Sequence, residues 1–127
     1  MNIGLIANDS KKKLMQNLCI AYKGVLSKHT VYATETTGTL IEQVTNLSVH
    51  KFLSGELGGE QQLASQVEHH NLDLLIYLKD TSRNSMYNAT AMNILHLCDL
   101  YNIPIATNLA TAELIIRALD SGYMDWI

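Results

Sequence analysis

The sequence has little of what marks disordered or repetitive chains. It contains one proline and seven glycines among 127 residues, whereas collagen-like and low-complexity chains are far richer in both. Hydrophobic residues make up 47% of the chain, which is enough to bury one core. We therefore expect residues 1–127 to form a single globular domain.

Cysteine is also scarce. The two cysteines, Cys19 and Cys98, lie in predicted helices among apolar neighbours, where a small buried thiol is common. None of the five histidines lies in a loop that follows a predicted strand. We therefore expect neither a disulfide nor a zinc site, and the sequence predicts no metal and no cofactor.

Excess positive charge and long apolar runs are lacking as well. The formal net charge is −3 and the longest basic run is Lys11-Lys12-Lys13, which argues against binding to nucleic-acid polymers. No apolar stretch reaches the roughly 18 residues that span a bilayer. The first predicted strand begins almost at Met1 and leaves no space for a signal peptide. We expect a cytoplasmic protein without a membrane partner.

What the sequence does contain is a regular alternation of strand-like and helix-like segments. Aliphatic runs that are continuous enough to be buried on both faces occur at residues 3–7, 30–34, 49–53, 72–78 and 103–107. Helical patterns lie between and after them at residues 14–26, 38–46, 60–70, 90–101 and 111–119. This order predicts an α/β fold with an open five-stranded parallel sheet flanked by helices.

The predicted strand-end loops carry hydroxyl groups, glycines and a lysine. Ligands of an open parallel sheet bind beyond the carboxyl ends of its strands, and these groups together suit a phosphate. The candidates are Lys12, Thr34, Thr36, Thr37, Ser54 and Gly55. Each hydroxyl also has a purely structural alternative, because Thr and Ser before a helix are more often N-caps than ligands. Asp9 is likewise a candidate cap, and Lys12 a candidate solvated lysine.

Four segments form a specific pattern: LIAND at residues 5–9 with Lys12, YATETTG at 32–38, LSGELGGEQQ at 53–62 and NIPIATN at 102–108. Together they resemble the methylglyoxal synthase family. Asp80, after the fourth predicted strand, continues the match. The resemblance covers nearly the whole chain. It implies a homohexamer and a site for dihydroxyacetone phosphate, from which the family's enzymes remove a proton and eliminate phosphate without a cofactor.

The departures from the family pattern fall on the catalytic groups. Glu60 stands where the family has its aspartate base, and Asn8 replaces a histidine of the first loop. The fourth loop lacks the family's histidine and aspartate, and Tyr87 is its remaining donor for an enolate oxygen. Losing an electrophilic donor and displacing a base reduce the rate by about 10²–10³ and 10²–10⁴ respectively. Glu35 replaces a glycine and adds a carboxylate that is able to accept from a ribose hydroxyl or an amine.

Three interpretations follow from these residues. The first is a free-standing protein that binds a phosphorylated small molecule, nucleotide-derived, with little or no lyase activity, and that sequesters a nucleotide signal in a bacterial cytosol or a phage-infected cell. Its ligand-binding set adds Asn8, Glu35, Gly59 and Tyr87 to the phosphate candidates. The alternative is a divergent active synthase with Asp9, Glu60 and Asp80 as catalytic residues. The third is a structural homo-oligomer with a vestigial site.

Overall fold

The protein contains one five-stranded parallel sheet. The computed structural model describes residues 1–82 and 89–124, except for the side chain of Glu56. Its strands are β1 (Asn2–Ala7), β2 (Thr30–Thr34), β3 (Val49–Phe52), β4 (Leu74–Leu78) and β5 (Ile105–Ala106). They lie in the order β3-β2-β1-β4-β5, and every neighbouring pair is parallel. The predicted open five-stranded parallel sheet is confirmed.

Helices cover both faces of this sheet. They are α1 (Lys12–Ala21), α2 (Lys23–Leu26), α3 (Glu35–Thr45), α4 (Gly59–Glu68), α5 (Ala89–Tyr101) and α6 (Leu109–Asp120). Two short 3₁₀ turns, Asp9–Lys11 and Gly55–Leu57, precede α1 and α4. Helices α1, α2, α3 and α6 pack on one face of the sheet, and α4 and α5 pack on the other. The result is the three-layer arrangement expected of an α/β chain.

Strand β4 explains why the sheet is buried on both sides. All five of its residues are buried, and successive side chains of a strand point to opposite faces. Leu74, Ile76 and Leu78 join the core beneath α1, α3 and α6, while Leu75 and Tyr77 join the core beneath α4 and α5. This strand therefore anchors both layers, and Tyr77 brings a hydroxyl group into one of them.

Several boundaries differ from the sequence-based expectation. Helix α3 begins at Glu35, so residues 35–37 form a helical turn and not the predicted loop. Gly38 looked like a helix start, but a Cβ there would crowd the Val49 and Lys51 side chains of β3, so packing explains this glycine. The predicted helix 14–26 is divided at Tyr22, whose φ of −113° and ψ of 25° leave the helical region. Strand β5 has two residues, fewer than predicted.

Both cysteines lie in the core as free thiols. Burial raises the pKa of Cys19 to about 12 and that of Cys98 to about 11, so both remain protonated at neutral pH. Within residues 1–82 and 89–124, no helix has the length and apolarity to cross a bilayer. These residues also contain no group of three or more His, Cys, Asp and Glu side chains arranged to hold a metal ion.

The chain reverses its direction of winding between β1 and β4. From β1 it builds outward through β2 to β3, and it then returns to place β4 on the other side of β1. Ala7 and Leu78, the last residues of β1 and β4, are paired across this junction. The helices that follow two such strands lie on opposite faces, which opens a crevice at the carboxyl edge of the sheet. A ligand site is expected at this edge.

Candidate functional site

A cavity of about 640 Å³ opens at this edge of the sheet, between the ends of β1 and β4. Its polar lining comes from segments that follow four different strands. These residues are Asn8, Asp9, Ser10 and Lys12 after β1; Thr34 and Thr36 at β2 and the start of α3; Ser54 and Glu60 after β3; and Tyr77, Lys79 and Asp80 from β4 and the segment after it. The cavity is mainly polar, and its charged side chains include both acids and lysines.

The polar residues before these helical segments do not act as ordinary N-caps. Thr34 precedes α3, Asn8 precedes the turn Asp9–Lys11, and Ser54 precedes the turn Gly55–Leu57. All three have the extended backbone of a cap residue, yet none accepts a side-chain hydrogen bond from the helical segment that follows. The backbone N–H groups at these ends are not capped by these side chains, and such groups favour an anion.

The Lys12 ammonium group is held in place at the start of α1. Its Nζ donates to the carbonyl oxygen of Ala7 at 2.8 Å and to Thr37 Oγ1 at 3.3 Å. It also forms an ion pair with Asp9 Oδ1 at 3.3 Å. The Asp9 side chain is 96% exposed and that of Lys12 is 18% exposed, so water weakens this ion pair. The two neutral contacts orient the cation, and the exposed carboxylate is the partner that an incoming anion replaces most easily.

Two glycines shape the turn that precedes α4. Gly58 has a φ of +98°, a left-handed conformation that glycine adopts without strain. A Cβ on Gly59 would overlap the carbonyl oxygen of Leu53, so this position requires glycine for close packing. The Gly59 N–H donates to the Ser54 carbonyl at 2.9 Å, and Gln62 Oε1 accepts from the Leu53 N–H at 2.8 Å. This turn brings Glu60, in the first turn of α4, to the cavity.

A hydrogen bond from strand β4 holds the Glu60 carboxylate. The Tyr77 hydroxyl donates to Glu60 Oε1 at 2.6 Å. Asn8 lines the same cavity, and its Oδ1 accepts from the Asp80 N–H at 2.7 Å. Burial and the Glu60 hydrogen bond raise the pKa of Tyr77 above its ordinary value, so its hydroxyl stays protonated as a donor. The Glu60 carboxylate is therefore hydrogen-bonded to a side chain that is fixed in strand β4.

Most residues that the sequence singled out lie around this cavity. Those that line it are Asn8, Asp9, Lys12, Thr34, Thr36, Ser54, Gly55, Glu60 and Asp80. Thr37 and Gly59 are buried and are not among the lining residues, although Thr37 contacts Lys12. Glu35 is exposed and is not a lining residue either. Tyr87 lies outside the described residues.

Sequence reasoning missed Tyr77. It treated this residue as part of an aliphatic strand, whereas the structure brings its hydroxyl to Glu60, 17 residues away in sequence. One signal was available in the sequence: a tyrosine in a strand that is buried on both faces needs a partner for its hydroxyl. The partner itself depends on how α4 packs against the sheet, which the sequence pattern does not reveal.

Comparison with known proteins agrees with this architecture. The family model described as "MGS-like domain" matches residues 16–107. A methylglyoxal synthase from Caldicellulosiruptor saccharolyticus is 52% identical over 126 residues, which are 99% of this chain and 89% of that protein. A methylglyoxal synthase from Listeria welshimeri is 48% identical over 99% of this chain and 94% of its own length.

A solved structure shares the fold. The crystal structure of a methylglyoxal synthase from Elizabethkingia anophelis aligns with a TM-score of 0.82 at 35% sequence identity. The alignment covers 91% of this chain and 76% of that one. Similarity at this level shows that the two proteins share the fold.

Proposed function

The chain belongs to the MGS-like domain family, and we propose that it is a lyase that converts dihydroxyacetone phosphate to methylglyoxal and inorganic phosphate. Glu60 is the base in this proposal. One observation carries it: a carboxylate held by a tyrosine hydroxyl lines the same cavity as Lys12 and the uncapped segments after Thr34 and Ser54. A base and a phosphate site in one cavity are what this reaction needs.

This proposal reverses the order of the interpretations drawn from the sequence. The nucleotide-binding interpretation rested on Glu35 as a ligand contact and on the altered fourth loop. Glu35 is exposed and does not line the cavity. The relatives that span nearly the whole chain are named methylglyoxal synthase. Together these observations favour the divergent synthase.

The phosphate end of the substrate fits the segments that follow β2 and β3. The Thr36 and Ser54 hydroxyls line the cavity there, beside the N-terminal end of α3. Lys12 adds a cation that Thr37 and the Ala7 carbonyl orient. In this proposal the phosphate replaces Asp9 as the partner of Lys12. The positive ends of helices and a lysine stabilise a dianion, and they also stabilise phosphate as it departs.

The carbon chemistry then falls to Glu60. Its carboxylate takes a proton from the hydroxymethyl carbon beside the carbonyl group, and an enediolate forms. The C–O bond to phosphate breaks next, and phosphate leaves with the electron pair. The remaining enol takes up a proton at its terminal carbon, loses its hydroxyl proton and becomes methylglyoxal. The proton held by Glu60 passes to the departing phosphate, which restores the carboxylate. General-base catalysis of this kind contributes about 10²–10⁴ to the rate.

A donor must also stabilise the enediolate oxygen. Lys79 is the lysine at the β4 side of the cavity, close in sequence to Tyr77 and Asp80, and its ammonium group is a suitable donor. Tyr87, which the sequence suggested for this role, stays a prediction because it lies outside the described residues. In this assignment Asp80 shapes the site through its N–H bond to Asn8 and its Oδ1 bond from the Ser82 N–H at 2.9 Å.

Turnover of dihydroxyacetone phosphate tests this function. Purified full-length chain should release methylglyoxal and phosphate in equal amounts, faster than the uncatalysed reaction. Glu60→Gln should reduce kcat by at least about 100-fold, because the amide cannot accept the proton. Glu68→Gln is the matched control, since Glu68 is exposed at the other end of α4. It should keep the original kcat.

Two outcomes would overturn the proposal. One is a wild-type chain that makes no methylglyoxal above the uncatalysed rate, and the other is a Glu60→Gln variant as active as Glu68→Gln. If the inactive chain instead gains thermal stability from nucleoside phosphates, the nucleotide-binding interpretation becomes the better one.

We also propose self-association, with the homohexamer as the expected state. Large apolar side chains that are more than half exposed include Met92 at 56%, Leu100 at 61% and Leu114 at 69%, and apolar exposure of this kind favours subunit contacts. Sedimentation equilibrium should give a mass near six chains of 14.1 kDa. A monomer at every concentration would contradict this.

A further inference from the structure

The Tyr77 hydroxyl is a polar group that the packing of the core does not require. Its ring is 1% exposed and belongs to the cluster of Ile6, Leu63 and Leu75 beneath α4 and α5. A phenylalanine would fill the same volume. A buried hydroxyl is unfavourable unless it is hydrogen-bonded, so this side chain depends on a polar partner. Its hydroxyl donates to Glu60 Oε1 at 2.6 Å.

The direction of the hydrogen bonds can be followed from the backbone. The Asp80 N–H after β4 donates to Asn8 Oδ1 after β1, which ties the ends of the two strands together. The Tyr77 hydroxyl on β4 is the donor to Glu60 Oε1, because an ionised carboxylate only accepts. The hydrogen bond to Glu60 therefore comes from a side chain fixed in the central strand β4. The position of that side chain is set by the junction of β1 and β4.

We propose that Tyr77 is a positioning residue that holds Oε1 of Glu60 so that the other carboxylate oxygen takes the substrate proton. This inference rests on the proposed function of Glu60. Glutamate has one more rotatable bond than aspartate, and its carboxylate ranges over a wider space. A displacement of about 1 Å is enough to reduce a rate by about 100-fold. A glutamate that acts as the base therefore needs a hydrogen-bond partner that fixes its carboxylate.

The test separates positioning from packing by a double-mutant cycle. Tyr77→Phe should lower kcat for dihydroxyacetone phosphate by about 10- to 100-fold and change KM by less than about threefold. In a Glu60→Asp background the shorter carboxylate no longer reaches the hydroxyl. Tyr77→Phe should then change kcat by less than about threefold. Tyr32→Phe is the matched control on β2, where the ring stacks on His50 and Phe52, and it should keep kcat.

A second readout does not depend on turnover. With ¹³C-carboxyl glutamate, the Glu60 signal is the one lost in Glu60→Gln. At a fixed pH its chemical shift should differ in Tyr77→Phe, because Oε1 has lost the hydroxyl that donates to it. Asp9, Lys12, Lys79 and Asp80 are the other ionisable groups around Glu60 in the described cavity, and all are unchanged in this variant.

The outcomes distinguish the two proposals. A wild-type chain without methylglyoxal production overturns the function. The hydrogen-bonded pair still stands if the Glu60 signal responds to Tyr77→Phe. Equal losses of kcat from Tyr77→Phe in the wild-type and Glu60→Asp backgrounds would overturn the positioning role while leaving the function intact. So would Glu60 carboxyl signals that coincide in wild type and Tyr77→Phe.

Discussion

Helices α3 and α6 are each preceded by a polar residue of the kind that caps helices, but the two residues make different hydrogen bonds. Before α6, Asn108 Oδ1 accepts from the Thr111 N–H at 2.9 Å, which is ordinary capping. Before α3, Thr34 makes no such bond, and its hydroxyl contacts Thr37 Oγ1 at 3.4 Å. Asn8 and Ser54, which precede the two 3₁₀ turns at the cavity, resemble Thr34 in this respect.

This difference separates stability from function at positions that look alike in the sequence. Asn108 satisfies a backbone N–H of its own helix, so it contributes to folding. The side chains before the segments at the cavity leave such groups available, and these segments line a space large enough for a small phosphate ester. Substitutions at the two kinds of position should therefore affect different properties.

Lys12→Ala should have the largest effect on the cavity. Removing a charged donor to phosphate loses about 1.5–3 kcal/mol, so kcat/KM for dihydroxyacetone phosphate should fall by about 10- to 100-fold. Lys13→Ala is the control, because Lys13 is exposed one residue further along α1. Steady-state kinetics of the two variants measures the difference. Equal kinetics for both variants would mean that Lys12 does not contact the substrate and is a solvated lysine, which was the alternative considered from the sequence.

Gly55→Ala should have a smaller effect that is confined to the ligand. A Cβ at Gly55 meets no atom within 4 Å, so the unfolding free energy should change by less than about 0.5 kcal/mol. The methyl group would occupy part of the cavity, and KM should rise about tenfold. Gly24→Ala is the matched control, since Gly24 has equal space on α2. An unchanged KM in Gly55→Ala would exclude close contact between this residue and the substrate.

Asn108→Ala should have the smallest effect, and on stability alone. Loss of an N-cap side chain lowers the unfolding free energy by about 1 kcal/mol, which denaturant titration detects. Turnover should stay within about twofold of wild type, because Asn108 is not among the residues that line the cavity. An Asn108→Ala variant that keeps its unfolding free energy but loses most of its turnover would contradict the assignment of Asn108 to stability alone.

The sequence predicted the central strands well because their burial on both faces leaves a continuous aliphatic run. Strand β2 has the predicted bounds, and β1 begins one residue earlier than predicted. The edge strand β5 was overestimated: Asn102, with a φ of 57°, and Pro104, which lacks an N–H, precede a pairing of two residues. An apolar run alone does not reveal where hydrogen bonding begins.

The candidate site was predicted in part, and the misses have a common cause. Residues directly after strands, such as Asn8 and Ser54, were found because parallel strands end at the same edge. Glu35 was expected at the site as well, but in the first turn of α3 its side chain is exposed. Tyr77 was missed because its role depends on contact with a helix 17 residues away. Direction and contact of side chains are set by packing that a sequence pattern does not contain.

Binding of inorganic phosphate tests the central claim most directly, because it needs no turnover. Isothermal titration calorimetry and denaturant unfolding should be run side by side on wild type, Ser54→Ala and Asn108→Ala. Ser54→Ala should weaken phosphate binding by about 3- to 10-fold and keep its unfolding free energy within about 0.5 kcal/mol, since its hydroxyl serves the ligand. Asn108→Ala should bind phosphate as wild type does and unfold more easily. A Ser54→Ala chain that binds phosphate normally but is about 1 kcal/mol less stable would contradict the account.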